Sequence, residues 1–278
     1  MTQNFTLHCH TNFSDGSNTA EEMVDAAIRK GFSFMGITDH LIVHKNIKQS
    51  PLWKRLSQKS NTHVYNSEFK SILPLFQRHC EELRKLAKQK NFRILVGFEV
   101  DFFTYDGWLD ELKDFLTKLD YDYLISGNHF LFDEKCETIY DIYRLLVDDC
   151  DSEKLQEMFS KHFRTIKMAA ESELFKFIAH LDYVKKINWQ FNEADFKEEK
   201  SAIIKALKEC GVGTEISTKG LRKIGCFYPD DWFLNEIKKN NIEIVISDDA
   251  HNIDELGYDF NKAEEKLKEI GITDRIKI

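Results

Sequence analysis

The sequence predicts an α/β protein, a closed or nearly closed barrel of parallel strands. Short runs rich in Ile, Val and Phe recur seven times, and each is followed by a polar loop and a helical pattern. That alternation builds parallel sheets with helical crossovers. No low-complexity linker interrupts the rhythm, so residues 1–278 are expected to form a single domain rather than two.

The first run, FTLHCH, ends in His8 and His10. Side chains alternate along a strand, so these imidazoles share a face while Cys9 points away. In TAEEMVDAAIRKG, Thr19 and Glu22 stand at capping-box spacing and Gly31 is placed to end the helix. The run FSFMGITDH follows. From about His44 to Asn66 lies the longest irregular stretch, expected to overhang the barrel mouth as a loop. Next come the helix in SEFKSILPLFQRHCEELRKLAKQK, the run FRILVGFEVDFF, the helix in WLDELKDFLTKL and the run YDYLISGNHF. The remaining strands are read in FKFIAHLDYV, GVGTEIST and IEIVISDDAH, with helices in KEEKSAIIKALKECG and DFNKAEEKLKEIG.

Composition narrows the functional classes. Hydrophobic residues make up 42% of the chain and aromatic ones 13%, enough for a sizeable core. A net charge of −8 argues against a broad basic surface, so no nucleic-acid partner is expected. No stretch approaches the roughly 20 apolar residues of a membrane span, and the polar N-terminus lacks the apolar segment of a signal peptide. A cytoplasmic location without membrane partners is therefore expected. Cys9, Cys80, Cys136, Cys150, Cys210 and Cys226 are scattered without a C-x-x-C pair and are expected to be reduced and mostly buried.

In such a barrel the chemistry sits where strands end. His8 and His10 close the first strand, with Asp15 in the loop after it. His40, Glu99, His129, His180, Asp249 and His251 stand at or just after later strand ends. Crowded together without a cation, these imidazoles and carboxylates would lack compensation for desolvation and mutual repulsion. Imidazole and carboxylate without thiolate suit Zn²⁺, Mn²⁺ or Fe²⁺. His44, His63, His79 and His162 read as structural or exposed, and Trp53, Phe103, Tyr105 and Phe130 as core or rim aromatics.

The motifs HCHTNFSDG, GITDH, GFEVDF, GNHF, AHLD and SDDAH, in this order, resemble those of the polymerase and histidinol phosphatase (PHP) family of metallohydrolases. The resemblance implies a distorted (β/α)7 TIM-like barrel holding three divalent ions. It places His8, His10, Glu99 and Asp249 on one ion, and Glu99, His129 and His180 on a second, with Glu99 bridging. Asp15, His40 and His251 would hold the third. Glu99, Asp249 and His251 are the catalytic candidates. Within the family the chain is most similar to stand-alone histidinol-phosphatases, which have an aspartate where Asp15 stands and a stretch like EISTKGLRK. That similarity puts Arg222 at a phosphate-binding position and Lys185 near a second basic one. Ser217 replaces the usual asparagine of the stretch, and the Ser247 to Asp249 segment departs from a commoner glycine-serine-aspartate.

The implied activity is hydrolysis of L-histidinol phosphate to L-histidinol and phosphate, a step of histidine biosynthesis. Three divalent ions with Asp15, Glu99 and Asp249 would leave a charge of +3, matching a monoester dianion plus the attacking hydroxide held at the metals. The alternative is a PHP-type nuclease or phosphoesterase acting on nucleic-acid ends or nucleotides.

Overall fold

A computed structural model describes residues 3–144, 152–187 and 196–278. Its strands are β1 (Phe5–Thr6), β2 (Phe34–Val43), β3 (Tyr65–Asn66), β4 (Arg93–Val100), β5 (Tyr123–Ser126), β6 (Phe130–Asp133), β7 (Thr138–Asp141), β8 (Phe177–Ile178), β9 (Gly213–Ser217) and β10 (Ile244–Ser247). Seven of them pair in parallel in the order β1-β2-β4-β5-β8-β9-β10. A parallel bridge between Cys9 and Ala250, with the His10 amide donating to the Ala250 carbonyl at 2.8 Å, joins the two ends. The closure is one bridge long. The result is a distorted seven-stranded barrel.

Two apolar layers hold it. Inside, Leu7, Leu95, Tyr123, Ile125, Phe177, Val245 and Ile276 fill the lower barrel. Gly36 and Gly97 make room for the Tyr123 ring: a Cβ on Gly36 would lie 1.9 Å from the tyrosine oxygen, and one on Gly97 2.9 Å from the ring. The hydroxyl spans the barrel and donates to the Leu7 carbonyl at 2.7 Å. Outside, residues of opposite parity such as Met35, Ile37, Val96, Phe98 and Ile246 pack against the surrounding helices. Regular pairing of β1 ends at Thr6, yet His8 and His10 still face one another with ring centroids 5.3 Å apart.

The expected helices form at Ala20–Arg29, Phe69–Lys90, Trp108–Leu116, Lys197–Cys210 and Phe260–Ile270. Thr19 and Glu22 make the reciprocal capping box. Two further long helices, Ser152–Glu171 and Asp231–Asn240, complete the outer layer.

Departures from the expected pattern cluster above the barrel. YDYLISGNHF is not one strand: the chain turns at Gly127 and Asn128, where Asn128 has φ 53, and Phe130 starts the antiparallel β6–β7 hairpin. The 44–66 segment is partly ordered by helix Trp53–Leu56 and by β3, which adds to the end of β2. It is tied to the first metal-ligand loop: His63 Nε2 contacts the Phe13 carbonyl at 2.6 Å, and the Asn61 amide donates to the Ser14 carbonyl. Cys9 and Cys80 are buried and Cys136 is exposed, all free; Cys150 lies outside the described residues.

Candidate metal centre

The barrel brings all nine expected ligands to one mouth. Register explains part of this: His40 on β2 lies directly beside Glu99 on β4, both on inward parity. Glu99 is the hub. Its Oε1 lies 3.0 Å from His180 Nε2, 3.4 Å from His8 Nε2 and 3.6 Å from His129 Nε2, while Oε2 lies 3.1 Å from His40 Nδ1 and 3.3 Å from His10 Nε2. Asp249 Oδ1 stands 3.3 Å from His10 Nε2 and 3.6 Å from His8 Nε2. Asp15, the most exposed of the set, places Oδ1 3.3 Å from both His40 Nε2 and His251 Nε2.

Only the His180–Glu99 approach among these is a hydrogen bond. His8 Nε2, His10 Nε2, His40 Nδ1, Glu99 Oε2 and Asp249 Oδ1 are buried and have no hydrogen-bond partner among the described residues. Lone pairs converge on shared space, which fits a cation and is costly without one. Four overlapping ligand groups result: His10, Asp15, His40 and His251; His8, His10 and Asp249; His8, Glu99 and His180; His40, Glu99 and His129.

The electrostatics agree. Burial opposes charge on Glu99, but His129, His8 and His40 outweigh it and hold the carboxyl well below its ordinary value. Burial likewise opposes the His10 imidazolium, yet Asp249 and Glu99 raise its pKa to about 9. His10 therefore holds a proton that a metal ion would displace.

A second layer of carboxylates, which sequence reasoning did not assign, orients the ligands. Glu215 Oε2 lies 2.9 Å from His8 Nδ1, and its Oε1 accepts the His180 backbone amide at 3.1 Å. Asp101 Oδ2 lies 3.2 Å from His129 Nδ1. Asp39 accepts from Thr11, Ser14 and His79, fixing the loop between His10 and Asp15. With Lys219 these groups alter the charge balance drawn from the ligands alone, so the simple match to substrate plus hydroxide is incomplete.

The mouth opens into a cavity of about 470 Å³ whose cationic lining is Arg55, Lys59, Lys186, Lys219 and Lys223. Neither expected substrate-binding residue lines it. Lys185 turns away to Asp182, its Nζ 3.2 Å from Oδ2. Arg222 sits one layer back: Nη2 donates to the Asp248 carbonyl at 2.8 Å and lies 3.3 Å from Glu255, and the guanidinium faces the Tyr258 ring. Its Nε and Nη1 are buried without hydrogen-bond partners among the described residues. Lys186, next to Lys185, and Lys219, at the start of the helix that carries Arg222, line the mouth instead. Burial, and then Lys219, lower the Lys186 pKa to about 8.

The other expectations sort cleanly. Phe130 lines the cavity together with Tyr65 and Tyr183, while Phe103 and Tyr105 surround His44. His44 is outside the ligand groups, His79 pairs with Asp39, and His162 is buried. Asp248 is outside the candidate ligand groups, accepting from Thr6 Oγ1 and the Gly257 amide.

The PHP domain profile matches residues 6–219. The histidinol-phosphatase of Bacillus subtilis is 25% identical over 271 residues, covering 90% of this chain and 94% of that protein. The probable histidinol-phosphatase of Deinococcus radiodurans is 23% identical over 272 residues, covering 95% and 92%. Among solved structures, the histidinol phosphate phosphatase of Lactococcus lactis, complexed with zinc, L-histidinol and phosphate, superposes with a TM-score of 0.67 at 19% identity, covering 98% of this chain and 95% of that one. Asp249 and His251 lie beyond the matched profile and reach the site through the closing strand.

Proposed function

Because the chain belongs to the PHP domain family, we propose that it is a metal-dependent phosphomonoesterase that hydrolyses L-histidinol phosphate to L-histidinol and phosphate. The observation that carries the reaction class is the convergence of five imidazole and carboxylate atoms, buried and unpaired, around Glu99. The full-length relatives named as histidinol-phosphatases support the substrate. Up to three ions of the Zn²⁺, Mn²⁺ or Fe²⁺ class are expected, with Glu99 shared between two of them. Bound divalent ions lower the pKa of water toward about 7 and offset charge on phosphoryl oxygens.

The chain's own residues do the rest. Glu215 and Asp101 fix the orientation of His8 and His129. The lysines of the mouth attract a monoester dianion. The aromatic faces of Tyr65, Phe130 and Tyr183 share the cavity with Asp141, itself paired with Arg55 at the rim. That combination suits a substrate carrying an imidazole and an ammonium.

A second reading, cleavage at nucleic-acid ends, draws on the same five cations of the mouth. Phosphate release from histidinol phosphate, p-nitrophenyl phosphate and single-stranded DNA, compared in Mn²⁺ and in Zn²⁺, separates the two. Histidinol phosphate should be turned over fastest. Faster cleavage of DNA would move the assignment to the nuclease.

A further inference from the structure

Lys219 is the first residue of the short helix Lys219–Ile224, which begins where β9 ends. This placement directs its side chain across the barrel end. Nζ stands 2.7 Å from Asp249 Oδ2, and the side chain is only 12% exposed. Asp249 presents its other oxygen, Oδ1, to His8 and His10. An ammonium has three N–H donors, and the contact with Asp249 occupies one direction. Lys219 also lines the mouth cavity, so the remaining donors have access to a ligand there.

A buried ammonium needs a counter-charge. Asp249 supplies it, but Asp249 is also a metal-ligand candidate, and a cation on Oδ1 would draw its charge away from Lys219. A dianion entering the cavity would restore the balance. Arg222, by contrast, directs Nη2 at the Asp248 carbonyl and is absent from the cavity lining.

We propose that Lys219 is a phosphate-contacting residue of this site, its ammonium bridging Asp249 and an oxygen of the substrate's phosphoryl group. This rests on the phosphomonoesterase reading, though not on which alcohol the ester carries. Arg222 serves from behind, holding the Asp248–Asp249 backbone in place.

Three readouts on metal-loaded protein test this for wild type, Lys219→Met, Lys219→Arg and Arg222→Met. They are metal equivalents by elemental analysis, inorganic phosphate affinity by calorimetry, and kcat and KM for histidinol phosphate and p-nitrophenyl phosphate. Lys219→Met should keep its metal while phosphate affinity and kcat/KM on both esters fall about ten- to a hundredfold, the scale of one lost charged hydrogen bond. Lys219→Arg should recover part of the loss. The inference is overturned by a Lys219→Met protein that binds phosphate as wild type does. Loss of metal in that variant without recovery by arginine overturns it too, since Lys219 would then only support Asp249. So does a phosphate affinity that depends on Arg222 and not on Lys219. If wild type ignores histidinol phosphate but hydrolyses the other ester with the same dependence on Lys219, the substrate assignment fails and the contact stands.

Discussion

Glu215 Oε2 lies 2.9 Å from His8 Nδ1, and both side chains are fully buried. With the carboxylate as acceptor, the ring proton is kept on Nδ1 when a metal displaces the one on Nε2, so the Nε2 lone pair would be aimed at the space shared with Glu99 and Asp249. Replacing Glu215 with glutamine should therefore weaken metal binding roughly 10- to 100-fold while leaving the fold intact. Competition with a chromophoric chelator reads the affinity, and circular dichroism reads the fold. An unchanged affinity would mean that His8 is oriented by other contacts.

Gly127 marks the turn between β5 and the hairpin, and its missing side chain keeps the site open. A Cβ there would stand 2.4 Å from Glu99 Oε1 and 2.5 Å from His129 Cε1. Gly127→Ala should displace both ligands, reducing metal content and activity together. Full metal occupancy in this variant would contradict the packing described at the hub.

Adjacent aspartates should behave differently. Asp249→Asn removes a ligand charge and should lose metal. Asp248→Asn should keep its metal but lose about 1–3 kcal/mol of stability, because Asp248 accepts from both Thr6 and Gly257 and an amide offers only one accepting oxygen. Elemental analysis paired with urea unfolding distinguishes them. The reverse pattern would mean the two have exchanged roles.

Much of this site was legible because polar residues in or after apolar runs are conspicuous: His40 and Glu99 interrupt buried strands, and His129 and Asp249 follow strand ends closely. Helix spacing was equally plain at Thr19 and Glu22. Glu215 also follows inward parity, between Gly213 and Ser217, yet a carboxylate that orients a histidine has the same sequence signature as one on a surface strand. The sequence favoured Arg222 over Lys219, because which residue of that short helix lines the cavity is decided by tertiary packing. The break after Ser126 was hidden because GNHF continues the apolar tone of the strand. Helix Ser152–Glu171 carried its signal openly in Leu155, Met158, Phe159, Phe163 and Ile166.

Stability should respond to acid through His162. This ring is fully buried, and burial, then His180 and His129, lower its pKa to about 3 against a smaller opposing effect of a backbone hydrogen bond at Asn128. Its folded pKa lies below the unfolded value of about 6.5, so its neutral form is fully compatible with folding above that pH. Between pH 6.5 and 3 the unfolded chain takes up a proton the native state refuses, and stability falls as pH drops. At pH 5 the contribution is about 2 kcal/mol. Urea midpoints at pH 7 and pH 5 should fall less in His162→Phe than in wild type; equal falls would show that the ring is protonated in the folded protein.

The residues around Glu99 should form one multinuclear metal site on which phosphate release depends. Elemental analysis of active protein, alongside phosphate release before and after chelation, tests it most directly. The expected result is two to three equivalents of divalent metal, turnover abolished by chelation and restored by Mn²⁺ or Zn²⁺, and a Glu99→Gln variant that loses both metal and activity, since a neutral amide is a poor bridge between ions. Full activity with less than one equivalent of metal would contradict it.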